Sequence, residues 1–187
     1  MTNNMHLQSA PGLANILWIG GPPDAGKTTV AAVLAQKCNM TFYDFDRYVV
    51  PLERLDRAQA PRVFEWFETP TDELWQRRSP QEIAAHTWES WQQVFPVQVQ
   101  DLLTYAQESL VIAEGSVFLP HLVAPLLTSR HQAIWLFPTE QFKTRSFHER
   151  GKDRYSTREK NSDPALATSN FYARDLILSD LMRQDVE

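Results

Sequence analysis

Apolar positions along the chain fall into short continuous runs and helix-period stripes. Ile16-Leu17-Trp18-Ile19 is an apolar run that ends in glycine, and Thr28 to Lys37 after it is an Ala-rich helix former, so strand, loop and helix are predicted in that order. Thr41-Phe42-Tyr43-Asp44-Phe45 is β-branched and aromatic enough for a second strand. Ser109-Leu110-Val111-Ile112-Ala113, closed by Glu114 and Gly115, has the continuous apolar pattern of a central parallel strand buried on both faces. A short helix over Pro120 to Leu127 leads to a further strand over Gln132 to Phe137. Thr139 caps the next helix, and a last one runs from about Ala165 through Tyr172, Leu176, Ile177 and Leu181. These elements predict an α/β fold, a parallel sheet flanked by helices.

Residues 51 to 108 are the least regular stretch. Phe64, Trp66, Phe67, Trp75, Trp88, Trp91 and Phe95 crowd there, with Pro51, Pro61, Pro70 and Pro80 breaking it into short helices. Ser79-Pro80-Gln81-Glu82 is a helix start, with Ser79 at the cap and Glu82 three residues beyond it. Ile83, Thr87, Trp91, Val94 and Phe95 recur at helical spacing, and the stripe resumes at Leu102 and Leu103 after an expected kink at Pro96. Two readings stand: the aromatic stripe packs on the sheet, or part of it walls a ligand pocket. Residues 1 to 13 are expected to be a loose leader, and the whole of 1–187 one domain.

The loop between the first strand and its helix carries the chemistry. From Gly21 through Pro22, Pro23, Asp24, Ala25, Gly26 and Lys27 to Thr28 the chain reads G-x-x-x-x-G-K-T, and Thr29 follows it. Strand, glycine loop, helix is the context in which this pattern binds phosphate. Gly21 and Gly26 let the backbone turn inward so that N–H groups meet phosphate oxygens at a helix N-terminus. Lys27 reaches the β- and γ-phosphates, and the Thr28 hydroxyl is a ligand for Mg²⁺. A nucleotide phosphate chain with Mg²⁺ is the expected ligand.

Other candidates arrive at the same sheet edge, where ligands of open α/β sheets sit. Asp44 and Asp46, two apart on an extended segment, would point the same way, toward Mg²⁺ or a substrate hydroxyl. Asp46 is equally well placed to cap a helix beginning near Arg47. Glu114 is an acid at the end of a buried strand, suited to holding metal through water or to orienting substrate.

Charge adds one asymmetry. The chain carries a net charge of −5 with a pI near 5.5, which argues against a general nucleic-acid binder. Yet Lys143 to Lys160 holds seven basic residues against three acidic, a net of +4. Arg145, Arg150, Lys152, Arg154 and Arg158 around Gly151 could close as a lid over a triphosphate, spanning about 145–162. A solvated, salt-bridged loop is the other reading, favoured for Arg158 or Lys160 taken singly. Cys38 is the one cysteine, so no internal disulfide forms, and it is expected to be a small buried apolar residue. No apolar stretch is long enough to span a membrane and no export signal is visible, so a cytoplasmic protein is expected.

These residues resemble the small P-loop kinases related to shikimate, gluconate and adenylate kinases and to chloramphenicol phosphotransferase. The likeness spans residues 15 to about 178, on Gly21 to Thr28, Asp44-Phe45-Asp46, Val111 to Gly115 and the arginines after Phe137-Pro138-Thr139-Glu140. More narrowly the chain is similar to bacterial predicted kinases with a Leu-x-Pro-Thr-Glu strand end and an Asn-x-x-x-Arg-Asp helix, here Leu136 to Glu140 and Asn170 to Asp175. The resemblance implies a three-layer P-loop NTPase fold of the nucleoside-monophosphate-kinase kind. Related kinases end in a fifth strand whose preceding loop cradles the base, and that final strand is expected to be missing here. The resemblance implies ATP as the nucleotide, and the implied reaction is transfer of the γ-phosphoryl of ATP·Mg²⁺ to a small hydroxylated acceptor, with no nucleic-acid or membrane partner. Lys27, Asp46, Arg150 and Arg154 are the expected catalytic residues, and Thr28, Asp44 and Glu114 the metal-binding ones. The alternative is a nucleotide-dependent switch or slow ATPase acting through a protein partner.

Overall fold

The computed structural model describes residues 10, 12–45, 50–151 and 160–186. Four strands form one parallel sheet in the order β2-β3-β1-β4: β1 is Ile16–Gly20, β2 Thr41–Asp44, β3 Val111–Glu114 and β4 Ala133–Trp135. β3 and β1 are central, and all four residues of β3 are buried, as its unbroken apolar run requires. β4 is shorter than the six residues its sequence suggested. Gln132 belongs to a 3₁₀ turn before it, and beyond Trp135 the ladder survives as one bond, from the Leu136 N–H to the Gly20 carbonyl at 3.0 Å.

The alternation of side chains along the strands divides the core into two layers. Ile16, Trp18, Tyr43, Val111 and Ala113 share one cluster with Phe95, Val99, Leu102, Leu103 and Ala106 of helix α3, Pro80–Ala106. Ile19 and Ile112 join Ala31 and Ala35 of helix α1, Lys27–Cys38, in the other. Helices therefore cover both faces, and an α/β architecture with a parallel sheet results. Helix α2, Pro61–Glu68, and a π-helical turn, Glu73–Arg77, precede α3. Helices α4, Pro120–Val123, α5, Glu140–Glu149, and α6, Pro164–Val186, follow β3 and β4. The described chain ends in α6, and among the described residues the sheet has no fifth strand.

The capping box predicted at Ser79 is present: Ser79 Oγ accepts from the Glu82 N–H at 3.2 Å, while the Ser79 N–H donates to Glu82 Oε2 at 2.7 Å. α3 then runs through Pro96 without a break. A proline inside a helix costs about 3 kcal/mol or more, and the fully buried Phe95, Val99 and Leu102 on either side offset it, each such side chain contributing roughly 1.5–3 kcal/mol. The aromatic stripe divides between its two readings. Phe95 packs beneath the sheet, Trp75 joins Leu74, Ile83 and Ala167 in a satellite cluster against α6, and Trp66, Phe67 and Trp91 line a cavity.

Two expectations are corrected. Leu13, placed in the loose leader, is buried in the main core, where its carbonyl accepts from Gln132 Nε2 at 2.9 Å. Cys38, expected to be buried, is exposed: it is the last residue of α1, one turn past Ala35, and Asn39 in a left-handed conformation turns the chain away.

Candidate active site

The site begins where β1 stops. Gly21 has φ 135°, and a Cβ there would meet the Leu136 carbonyl oxygen at 2.2 Å, so the chain can leave the central strand at this point only as glycine. Asp24 adopts the left-handed region at φ 63°, and Gly26, at φ 81°, starts α1 without any side-chain cap. The first N–H groups of α1 consequently have no partner within the helix, the arrangement that favours an anion at its N-terminus.

Lys27, the first residue of α1, is buried, and its ammonium donates to the Pro22 carbonyl at 2.9 Å and to Ser116 Oγ at 3.0 Å. Thr28 Oγ1 donates to Glu114 Oε1 at 2.8 Å. Glu114 is 2% exposed and ends β3 between Ile19 of β1 and Asp44 of β2. The hydroxyl and carboxylate so joined are hard oxygen donors, a pair that fits Mg²⁺ with water in its remaining positions. Asp44 stands in register with Glu114 but is not among the residues lining the cavity. Among the described residues no three His, Cys, Asp or Glu side chains gather as a metal cluster. Asp46, Lys152, Arg154 and Arg158 lie outside the described residues.

A cavity of about 450 Å³ opens over this edge. Pro23 to Thr28, Glu114 and Ser116 form one side of it, and Val63, Trp66, Phe67 and Trp91 another. Pro22 and Thr29 do not line it, and of Pro22 the carbonyl bonded to Lys27 is what bears on the site. Arg150, the residue after α5, also lines the cavity, half-exposed, with Nη1 3.7 Å from Asp24 Oδ1. Arg145 is exposed on α5, beside Glu149 at 3.9 Å and over the Phe142 ring, and does not line the cavity.

The sequence reading missed a buried charge cluster next to the loop. Lys143, counted there as the first cation of an anion-facing segment, is 3% exposed and spends its ammonium on the Asp24 carboxylate at 3.0 Å, the Asp175 carboxylate at 2.8 Å and the Pro23 carbonyl at 3.5 Å. Arg174 is buried beside it, Nε 3.0 Å from Asp175 Oδ1 and Nη1 donating to Thr87 Oγ1 at 3.3 Å. Burial pushes the Arg174 guanidinium below its usual pKa, against the pull of Asp175. A signal for this pair existed in the chain. Ala167, Phe171, Arg174, Asp175, Leu178 and Met182 follow one helical stripe, so two charges occupy core positions. Ser116 gave no such signal, because its contact with Lys27 joins residues 89 apart in sequence.

No family model matches the chain, and no curated protein matches it. Among solved structures, an uncharacterized protein from Eubacterium ventriosum is similar to it at 15% identity and a TM-score of 0.39, over 90% of this chain and 76% of that one. A likeness that low carries no argument.

Proposed function

We propose that the protein is an ATP- and Mg²⁺-dependent phosphotransferase that moves the γ-phosphoryl group to a small hydroxylated acceptor. One observation carries the reading. The G-x-x-x-x-G-K-T loop, with Lys27 buried and Thr28 bonded to Glu114, lies at the C-terminal ends of the two central strands and shares the lining of a cavity with Trp66, Phe67 and Trp91. That edge, where strand order reverses around β1, is the ligand side of an open parallel sheet. The sheet order and its helical layers suit the P-loop kinase fold that the motifs resemble.

In this reading the N-terminus of α1 and Lys27 hold the β- and γ-phosphates, and Lys27 exchanges its bonds to Pro22 and Ser116 for phosphate oxygens. Thr28 and Glu114 hold Mg²⁺, which when bound neutralises charge on the phosphates. Arg150, loosely paired with Asp24, can turn toward the transferred group. Arg154, outside the described residues, is proposed for the same role. Asp46 orients the acceptor hydroxyl and takes its proton as the new oxygen–phosphorus bond forms and the bond to the departing ADP breaks.

ATP consumption measured with and without a panel of hydroxylated metabolites tests the proposal. Strong dependence on one acceptor class is expected, and Lys27→Ala should lower turnover by roughly a hundredfold or more while thermal unfolding stays cooperative. Normal turnover in that variant would remove the loop from the chemistry. Turnover that responds to a protein partner and to no metabolite would make the protein a switch.

A further inference from the structure

Two lysines hold consecutive carbonyls of the glycine loop. Lys27 donates to the Pro22 carbonyl at 2.9 Å, and Lys143 reaches the next one, that of Pro23, at 3.5 Å. Lys27 lines the cavity, whereas Lys143 does not. Lys143 stands near the start of α5, 3% exposed, and is fixed there by the Asp175 carboxylate of α6 at 2.8 Å and the Tyr172 ring at 5.6 Å. It therefore meets the loop from outside the cavity, on a support that the loop itself does not supply.

The peptide between Pro23 and Asp24 is where this grip matters. Pro22 and Pro23 have no N–H, so between Gly21 and Gly26 only Asp24 and Ala25 offer backbone donors to an anion. A planar trans peptide points its carbonyl and its N–H in opposite directions. Turning the Pro23 carbonyl to Lys143 therefore turns the Asp24 N–H away from it, on the side of the cavity that Asp24 lines. Asp24 holds φ at 63°, which residues other than glycine rarely adopt, and its carboxylate is tied to Lys143 at 3.0 Å. The same bond balances a charge. A carboxylate built into an anion site opposes the anion unless a cation meets it, and the Asp24 side chain is wholly buried, beyond the screening of water. Arg150 stands 3.7 Å from the other carboxylate oxygen and is half-exposed, so Lys143 is the closer and better fixed cation of the two.

We infer that Lys143 is a positioning residue of the glycine loop: without touching the ligand, it aims the Asp24 N–H at the phosphates and cancels the Asp24 charge that would repel them. Its contacts divide between two tasks. Asp175 places the ammonium, and the bonds to Asp24 and Pro23 pass that placement to the loop. The inference deepens the phosphotransferase reading and rests on it, because it takes the loop to hold phosphate.

The test is calorimetric titration of the whole protein with Mg²⁺·tripolyphosphate, a probe with no base or sugar, and with ATP·Mg²⁺, at a temperature where each variant is folded. Lys143→Met should weaken both ligands by about tenfold or more. Two double variants separate positioning from stability, and they carry the test by themselves if the single variant does not fold. Lys143→Met with Asp24→Asn removes the repelling charge and keeps a side chain that tolerates a positive φ, so much of the affinity should return. Lys143→Met with Asp175→Asn should recover melting temperature without recovering affinity. The first double variant should therefore bind both ligands at least about fivefold more tightly than the second. Equal affinity in the two, or parent-like affinity in the one carrying Asp175→Asn, would make Lys143 a purely structural bridge and overturn the inference while leaving the loop's role intact. Failure of the parent protein to bind either ligand would instead sink the phosphate reading of the loop, and this inference with it.

Discussion

The two walls of the cavity are made in opposite ways. The glycine-loop wall is one contiguous stretch, Pro23 to Thr28, whose geometry is set by backbone turns at Gly21, Asp24 and Gly26. The facing wall collects Val63, Trp66, Thr87, Trp91, Phe171 and Arg174 from three helices, over more than a hundred residues of chain. Backbone geometry demands particular residue types at fixed spacing. A wall of side chains demands only shape and a few well-placed charges, which many sequences can supply. The first kind of site is readable in a sequence, and the second is found by folding it.

Lys143 joins the two walls, and breaking it should give the largest effect. Its ammonium is the shared partner of Asp24 in the loop and Asp175 on α6. Lys143→Met removes the cation and leaves two carboxylates in a buried site, an arrangement that costs about 3–5 kcal/mol. At roughly 2–4 °C per kcal/mol for a chain of this size, the melting temperature should fall by about 10 °C or more. Asp175→Asn made together with Lys143→Met should restore part of that loss. A single variant with an unchanged melting temperature would show that the two walls are not coupled through this residue.

What the sequence allowed follows from this contrast. The strands at Ile16–Gly20 and Val111–Glu114 announced themselves as apolar runs, and the capping box at Ser79 by its spacing. Thr28 and Glu114, singled out because loop and strand end each carry their own local signature, meet in a hydrogen bond. Lys143 was misjudged because a sum of charges over a window says nothing of depth. It turns inward to Asp24 and Asp175, while Arg145 two residues on is exposed to solvent. Ser116 and Thr87 matter only through contacts made 89 and 87 residues away, which no local pattern contains.

The proposed phosphoryl transfer gives the next predictions in size. Asp46→Asn should bind ATP·Mg²⁺ as the parent does yet lose transfer to the acceptor by roughly a hundredfold or more, the range of a positioned general base. Thermal unfolding must be followed beside it, since a lost helix cap costs about 1 kcal/mol. Loss of activity in step with folding would assign Asp46 to capping alone. Arg150→Ala should lower kcat by about tenfold to a hundredfold, the worth of a hydrogen bond to a charged group, with a smaller change in nucleotide affinity. Equal losses in both would make Arg150 a clamp on the ground state. No loss in either would return it to solvent.

The smallest effect is expected from His86, which lies behind the side-chain wall and separates its stability from the loop. His86 is buried against the Trp66 ring, with Nε2 3.5 Å from Glu65, and Arg62 and Arg78 stand near the same carboxylate. Burial lowers its pKa, more than the attraction of Glu65 raises it. Since the folded pKa lies below the ordinary value near 6.5, the unfolded chain binds the proton more readily. The stability contributed by neutral His86 is therefore complete above that ordinary value and is lost as pH falls through the folded pKa. Glu65, held low chiefly by its hydrogen bond from Arg62, acts in a different window: its contribution is present above the normal carboxylate range and is lost only in stronger acid. Between about pH 5.5 and 7.5 the difference in melting temperature between the parent and a His86 variant therefore isolates this histidine from Glu65. The parent protein should lose stability toward the acid end of that range. His86→Gln should flatten that slope by a few degrees while leaving ATP·Mg²⁺ affinity at pH 7.5 unchanged. An unchanged slope would mean that His86 is not held neutral, and a loss of nucleotide affinity would mean that the two walls communicate through it as well as through Lys143.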